Sequence, residues 1–174
     1  MARRRVAVGV VVAALLALGG YLLFRPAASG TGAVGTGIGR PAPLFESTDL
    51  QGRPVRLAAD RGHPVLLNFW ASWCQPCRQE FPIFAQLRTD RPDVAVLGVV
   101  FQDSDGSARQ FMADHRATWP GVRDPQGQIA TAYGVQPKPG IPQTFLIDGS
   151  GRLVARHLGP FTSETDVVQF LRQT

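Results

Sequence analysis

Cysteine is scarce in this chain of 174 residues, which holds only Cys74 and Cys77. That excludes a small disulfide-stapled scaffold, and two thiols under-fill the four-ligand set of a structural zinc site. Surplus positive charge is also missing once the first 25 residues are set aside. Residues 26–174 carry 14 basic and 13 acidic side chains. A nucleic-acid-binding domain needs a basic face that releases many counterions, so nucleic acid is excluded as a partner. No internal repeat is present, which argues against a solenoid.

What the sequence does have begins with an uncharged run, Val6 to Phe24. As a helix these residues would span roughly 30 Å, the thickness of a bilayer's hydrocarbon core. Residues 1–5, with Arg3, Arg4 and Arg5, form a basic flank that the positive-inside rule leaves in the cytoplasm. Everything after Phe24 is then expected outside, on a single-pass anchor in the cell membrane. A cleaved signal peptide is the competing reading, with Ala27, Ala28 and Ser29 near a cleavage site. The run exceeds the usual apolar core of a signal peptide and no clean Ala-x-Ala follows, which favours the anchor. Residues 25–40 contain five glycines and read as a flexible linker with about 20 to 24 Å of reach. The remaining residues, 41–174, suffice for one domain with an ordinary core.

Within that domain, Phe45 to Leu57 reads as a hairpin turning at Asp49-Leu50-Gln51-Gly52. Val65 to Trp70 and Val94 to Phe101 are continuous apolar runs, as buried strands would be. Gln75 to Thr89 reads as a helix, with Cys77, Phe81, Phe84 and Leu87 at helical spacing and a kink expected at Pro82. Ser107 to His115 and Gln126 to Tyr133 read as further helices. Thr144 to Asp148 and Leu153 to Leu158 flank Gly149-Ser150-Gly151 as a second hairpin. Ser163 is positioned to cap a last helix, on which Glu164, Val167, Val168 and Leu171 share a face. The order argues a mixed α/β sheet between helices. Trp70 and Trp73 read as packing and shielding groups rather than substrate platforms, Trp119 as a loop packing point, and His63, His115 and His157 as solvated residues at element ends.

Cys74 and Cys77 directly follow a buried strand and open a helix. As a staple, their short loop would contribute only roughly 2 kcal/mol. As a metal site they supply half a ligand set, with no second paired-ligand spacing among the histidines. As a redox pair they are well placed, because the unpaired N–H groups at a helix N-terminus stabilise a thiolate at Cys74, and Cys77 lies one turn on. Pro76 has no N–H to leave unpaired and stiffens that turn.

The run Asn68-Phe69-Trp70-Ala71-Ser72-Trp73-Cys74-Gln75-Pro76-Cys77-Arg78-Gln79-Glu80 resembles the active-site signature of the thioredoxin superfamily. More narrowly, it is similar to the membrane-tethered bacterial branch of TlpA, ResA and CcmG-like (DsbE) proteins. Gly39-Arg40-Pro41-Ala42-Pro43, Tyr133-Gly134-Val135 and Thr144-Phe145-Leu146-Ile147-Asp148 resemble that family's other landmarks. The resemblance implies a thioredoxin-like fold, a central mixed sheet flanked by helices, with an N-terminal hairpin and a central insertion before a cis-proline. Pro142 stands two residues before Thr144, as the family's cis-proline does, so the Ile141–Pro142 bond is expected to be cis and to face Cys74. The stretch Gln136 to Ile141 is longer than the family's.

The resemblance further implies a thiol-disulfide oxidoreductase without cofactor or bound metal. Cys74 would attack a protein disulfide and Cys77 would resolve the mixed disulfide. Trp73, Gln75, Pro76, Ile141 and Pro142 would border the substrate, and a membrane thiol electron donor would recharge the pair. Reductants of this branch serve cytochrome c maturation, with apocytochrome c as substrate. An oxidant or general thiol exchanger, and a copper-delivery module, are the alternatives; a peroxidase would centre on a lone cysteine. Asn68 stands where cytoplasmic thioredoxins carry a buried Asp, so any base for Cys77 must come from elsewhere. Glu80 lies three residues on from Cys77 along one helix face, either as that base or as a solvated surface charge.

Overall fold

The computed structural model describes residues 37–137 and 140–174. The expected anchor at 6–24 and most of the linker lie outside the described residues. Among the described residues no helix is long and apolar enough to cross a membrane. The chain is already tied to the domain at Gly39, whose N–H donates to Leu153 O, while Leu153 N–H donates to Arg40 O. Gly39 and Arg40 therefore belong to the domain rather than to the linker, because backbone pairing overrides their loop-like composition.

A short hairpin comes first, β1 (Glu46–Thr48) with β2 (Pro54–Arg56). Its turn is held by the Asp49 carboxylate, which accepts from the N–H groups of Gln51 and Arg53. Then follow β3 (Val65–Trp70), α1 (Cys77–Asp90), β4 (Ala95–Val100), α2 (Asp105–Asp114), β5 (Gly121–Val122) and α3 (Gln128–Ala132). The chain ends with β6 (Gln143–Ile147), β7 (Leu153–Leu158) and α4 (Glu164–Leu171). The main sheet has the order β5-β4-β3-β6-β7. Strands β3, β4 and β5 run parallel, β6 runs antiparallel to β3, and β7 antiparallel to β6.

The buried strand runs become β3 and β4, and both hairpins form where turn chemistry indicates. Ser163 caps α4 by accepting from Asp166 N–H, although the buried stripe is Val167, Phe170 and Leu171, with Glu164 exposed. Helix α1 starts two residues later than periodicity suggests, because Gln75 and Pro76 accept i+3 bonds from Arg78 and Gln79 in a tight turn. It then runs unbroken through Pro82. Helix α2 starts at Asp105 because Ser104 Oγ accepts from Ser107 N–H, a cap that the apolar spacing does not reveal. The two-residue β5 is too short to show any period.

Strand alternation divides the core in two. Leu66, Trp70 and Leu146 pack with Phe81, Phe84, Phe111, Trp119 and Phe161 on the α1 side. Leu67, Phe69, Val99 and Phe145 pack with Tyr133 and Ile129 on the other. Two of the three histidines depart from expectation. His63 is exposed, but the half-buried His115 ring stacks 4.2 Å from Phe111 at the end of α2. His157 sits inside β7, half-buried, with its ring 4.1 Å from that of Phe161. Aromatic neighbours brought by the fold, not sequence spacing, decide both places.

On the α1 side the indoles of Trp70 and Trp119 both lie over Gly98, where a Cβ would stand 2.7 Å and 3.1 Å from their Nε1 atoms. Gly98→Ala is therefore expected to cost about 1–3 kcal/mol through overpacking. A urea midpoint equal to that of the parent protein would show that the sheet has slack there.

Candidate active site

Strand β3 delivers the redox motif to the sheet's end. Past Trp70 the chain turns, Cys74 N–H bonding Ala71 O, and enters α1 with Cys77 as its first residue. Pro76 precedes it with helical angles, φ −64° and ψ −29°. Two long-range bonds and one local bond fix the turn. Ser72 N–H donates to the Asp103 carboxylate at 2.6 Å, Trp73 Nε1 to Gln102 O at 3.1 Å, and Arg78 to Ser72 O at 3.3 Å.

The two cysteines form a disulfide. Cys77 is fully buried and Cys74 almost so, while Trp73 is 57% exposed and Gln75 and Pro76 lie open at the rim. Cys77 N–H points at Cys74 Sγ from 3.2 Å. Once the pair is reduced, that donor and the helix dipole favour a thiolate at Cys74.

The Ile141–Pro142 bond is cis, as the family resemblance implies. Ile141 O lies 3.7 Å from Cys74 Sγ. Pro142 is buried and its carbonyl is taken by Gly159 N–H, so at this edge the half-buried Ile141 is the residue open to a partner. Behind it, the buried Gln143 side chain donates to Gly140 O and accepts from Arg156. These contacts anchor the end of the long 136–141 stretch to β7.

Glu80 has no exposed surface. Its Oε1 accepts from Asn68 Nδ2 at 2.8 Å and its Oε2 from Phe161 N–H at 3.4 Å. The same Asn68 nitrogen donates to Thr144 Oγ1 at 3.0 Å. The surface-charge reading of Glu80 is thereby corrected. It faces inward because α1 lays the face that carries Cys77, Phe81 and Phe84 on the sheet. Burial pushes the carboxyl from its ordinary value near 4.5 to about 8, and the two N–H donors offset only part of that cost. Thr144 and the Phe161 N–H were not candidates from sequence; strand register and the return of the chain after β7 bring them here.

Among the described residues no group of three or more His, Cys, Asp or Glu side chains gathers as a metal site. Asp103, Asp105, Asp124 and Gln126 are among the residues that line a cleft beyond the end of β4.

A disulfide pair at the start of a helix, on this sheet and beside a cis-proline, defines a thioredoxin-like thiol-disulfide oxidoreductase. The chain belongs to the AhpC/TSA family, whose pattern matches residues 38–156. It is 39% identical over 138 residues to a thiol:disulfide interchange protein DsbE homolog of Paracoccus denitrificans, covering 77% of this chain and 73% of that one. It is 37% identical over 164 residues to the thiol-disulfide oxidoreductase ResA of Geobacillus thermodenitrificans, covering 93% and 91%. A crystal structure described as a thiol:disulfide interchange protein DsbE from Chlorobium tepidum superposes with a TM-score of 0.70 at 33% identity, over 78% of this chain and 95% of that one.

The raised Glu80 pKa also links to stability. The folded state keeps a proton that the unfolded chain loses, so Glu80's contribution is complete below about pH 4.5 and falls away as pH rises to about 8. The slope is about 1.4 kcal/mol per pH unit at most. Urea melts of the oxidised protein and of Glu80→Gln should therefore diverge in favour of Gln across that window and run parallel above it. A constant difference at every pH would show that Glu80 is not held protonated.

Proposed function

We propose that this protein is an extracytoplasmic reductant of protein disulfides, anchored in the cell membrane by residues 6–24 and acting in cytochrome c maturation. The observation that carries the mechanism is the buried Glu80 carboxyl three residues on from Cys77 in α1, the helix whose first N–H faces the Cys74 sulfur. The relatives named DsbE and ResA support the thiol exchange, and the family resemblance supports apocytochrome c as substrate and a membrane thiol donor as partner.

In the reduced enzyme the Cys74 thiolate attacks one sulfur of the substrate disulfide and expels the other as thiolate. Glu80, as carboxylate, takes the Cys77 proton. The Cys77 thiolate then attacks Cys74 Sγ, closing the enzyme disulfide and releasing the second substrate thiolate. Trp73, Gln75 and Pro76 on one side and Ile141 on the other border the docked chain, with Pro142 holding Ile141 in place. Extended substrate backbone pairing with Ile141 gives recognition tolerant of sequence.

Cys77→Ala cannot resolve, so in native membranes it should accumulate one partner as a mixed disulfide on Cys74, and a membrane-impermeant thiol reagent should reach reduced Cys74 in spheroplasts. A trapped partner without haem-attachment cysteines would refute the substrate, and labelling only after lysis would refute the orientation.

For the base, Glu80→Gln should slow single-turnover reduction of a substrate disulfide at least about tenfold. In the parent protein the rate should climb with pH and level off above about 8, as the carboxylate forms. An unchanged rate and an unchanged profile in the variant would remove Glu80 from the chemistry.

A further inference from the structure

Glu80 has no exposed surface, so its proton needs a way out, and the sheet supplies a row of polar groups leading from it. Asn68 pairs with Thr144 across β3 and β6, and Thr144 pairs with His157 across β6 and β7. Directly opposed residues of antiparallel strands project on the same face, so the three side chains stand side by side on the α1 face. Asn68 and Thr144 are fully buried, and His157 is the first of the row with exposed surface.

Among the described residues, two buried atoms of this row lack a hydrogen-bond partner, Asn68 Oδ1 and His157 Nε2. Asn68 Nδ2 serves both Glu80 Oε1 and Thr144 Oγ1, which brings those two oxygens to one nitrogen. His157 Nε2 is shielded from solvent and has no partner among the described residues. An orphaned buried nitrogen beside a buried hydroxyl calls for an explanation, because such atoms are nearly always paired. Phe161 stacks on the His157 ring at 4.1 Å, Phe170 meets it edge-on at 5.9 Å, and the Phe161 N–H is itself on Glu80 Oε2. The ionisable groups on the helices packed here are Arg78, Glu80, Arg88 and Asp90 on α1 and Glu164 and Asp166 on α4. Glu164 and Asp166 are exposed, and Glu80 alone is hydrogen-bonded into the row.

We propose that His157 is the proton exit of the active site, passing the Glu80 proton to solvent by way of the Thr144 hydroxyl. This rests on Glu80 as the proton acceptor of Cys77. The Glu80 O–H breaks as an O–H forms on Thr144, directly or through one water. No direct hydrogen bond joins Thr144 to His157 Nε2, so the former Thr144 proton reaches that nitrogen through a bridging water, and the imidazole releases its other proton, from Nδ1, to water or buffer. An imidazole suits this because it accepts on one nitrogen while donating from the other. No oxidant or reductant is consumed.

The test follows Glu80 itself, in the full-length oxidised protein, by time-resolved infrared spectroscopy after a jump from pH 6 to pH 10. The protonated-carboxyl band that is absent in Glu80→Gln reports the residue. His157→Phe keeps a ring against Phe161 and Phe170, and should lengthen the decay of that band at least about tenfold, the low end of proton-transfer effects. Added imidazole should shorten it again. Thr144→Val should behave like His157→Phe, and Thr144→Ser like the parent. Parent-like decay in both His157→Phe and Thr144→Val overturns the exit. So does a slow decay that imidazole leaves untouched and Thr144→Ser shares, which would mark a merely structural effect. If the exit stands but Glu80→Gln reduces substrate at the parent rate in a single turnover, the base assignment fails and the proton route remains.

Discussion

One amide nitrogen joins three segments of this site that lie far apart in sequence. Asn68 Nδ2, at the centre of the central strand, holds Glu80 of the helix that carries the cysteines and Thr144 of the strand that follows the cis-proline. A buried carboxyl without donors would cost several kcal/mol, so these bonds fix how α1 sits on the sheet. The height of Cys77 above β3, and the separation of Cys74 from Ile141, follow from that seat.

Asn at this position also shapes the chemistry. It supplies hydrogen bonds but takes up no proton at neutral pH, so ionisation is left to the carboxyl it supports. The apolar wall around Glu80 then sets the balance. Burial raises its pKa to about 8, into the range of an ordinary thiol, and a donor and acceptor of matched pKa exchange a proton with little driving force in either direction.

The packing around this polar centre is aromatic and close. Trp70 lies 4.9 Å from Phe81 and 5.1 Å from Phe111, and Trp119 leans on Phe81 at 5.1 Å. Gly98, the β4 partner of Asn68, leaves room for both indoles. Rigid rings on α1 and α2 thus hold the helix that bears Cys77, while the motif's outer rim, with Trp73, Gln75 and Pro76, stays open. A buried thiol beside an accessible rim lets a polypeptide approach Cys74 while water is kept from Cys77.

Local chemistry was enough to make much of this readable in the sequence. Continuous apolar runs marked β3 and β4, turn residues marked both hairpins, and the position of Cys74 and Cys77 between a strand and a helix marked the redox pair. Pro142 was legible only through the family resemblance, which places a cis-proline two residues before Thr144. The short β5 and the Ser104 cap were not, since neither carries a period. The burial of Glu80 was undecided because a single helix does not state which face a sheet will cover. The alignment of Asn68, Thr144 and His157 depends on strand register between segments separated by 76 residues in one case, and register is set by which faces bury together. The sequence by itself determined the reactive sulfurs and the order of strands and helices around them; only the tertiary structure decided their proton chemistry, because a pKa depends on the water that neighbouring elements remove.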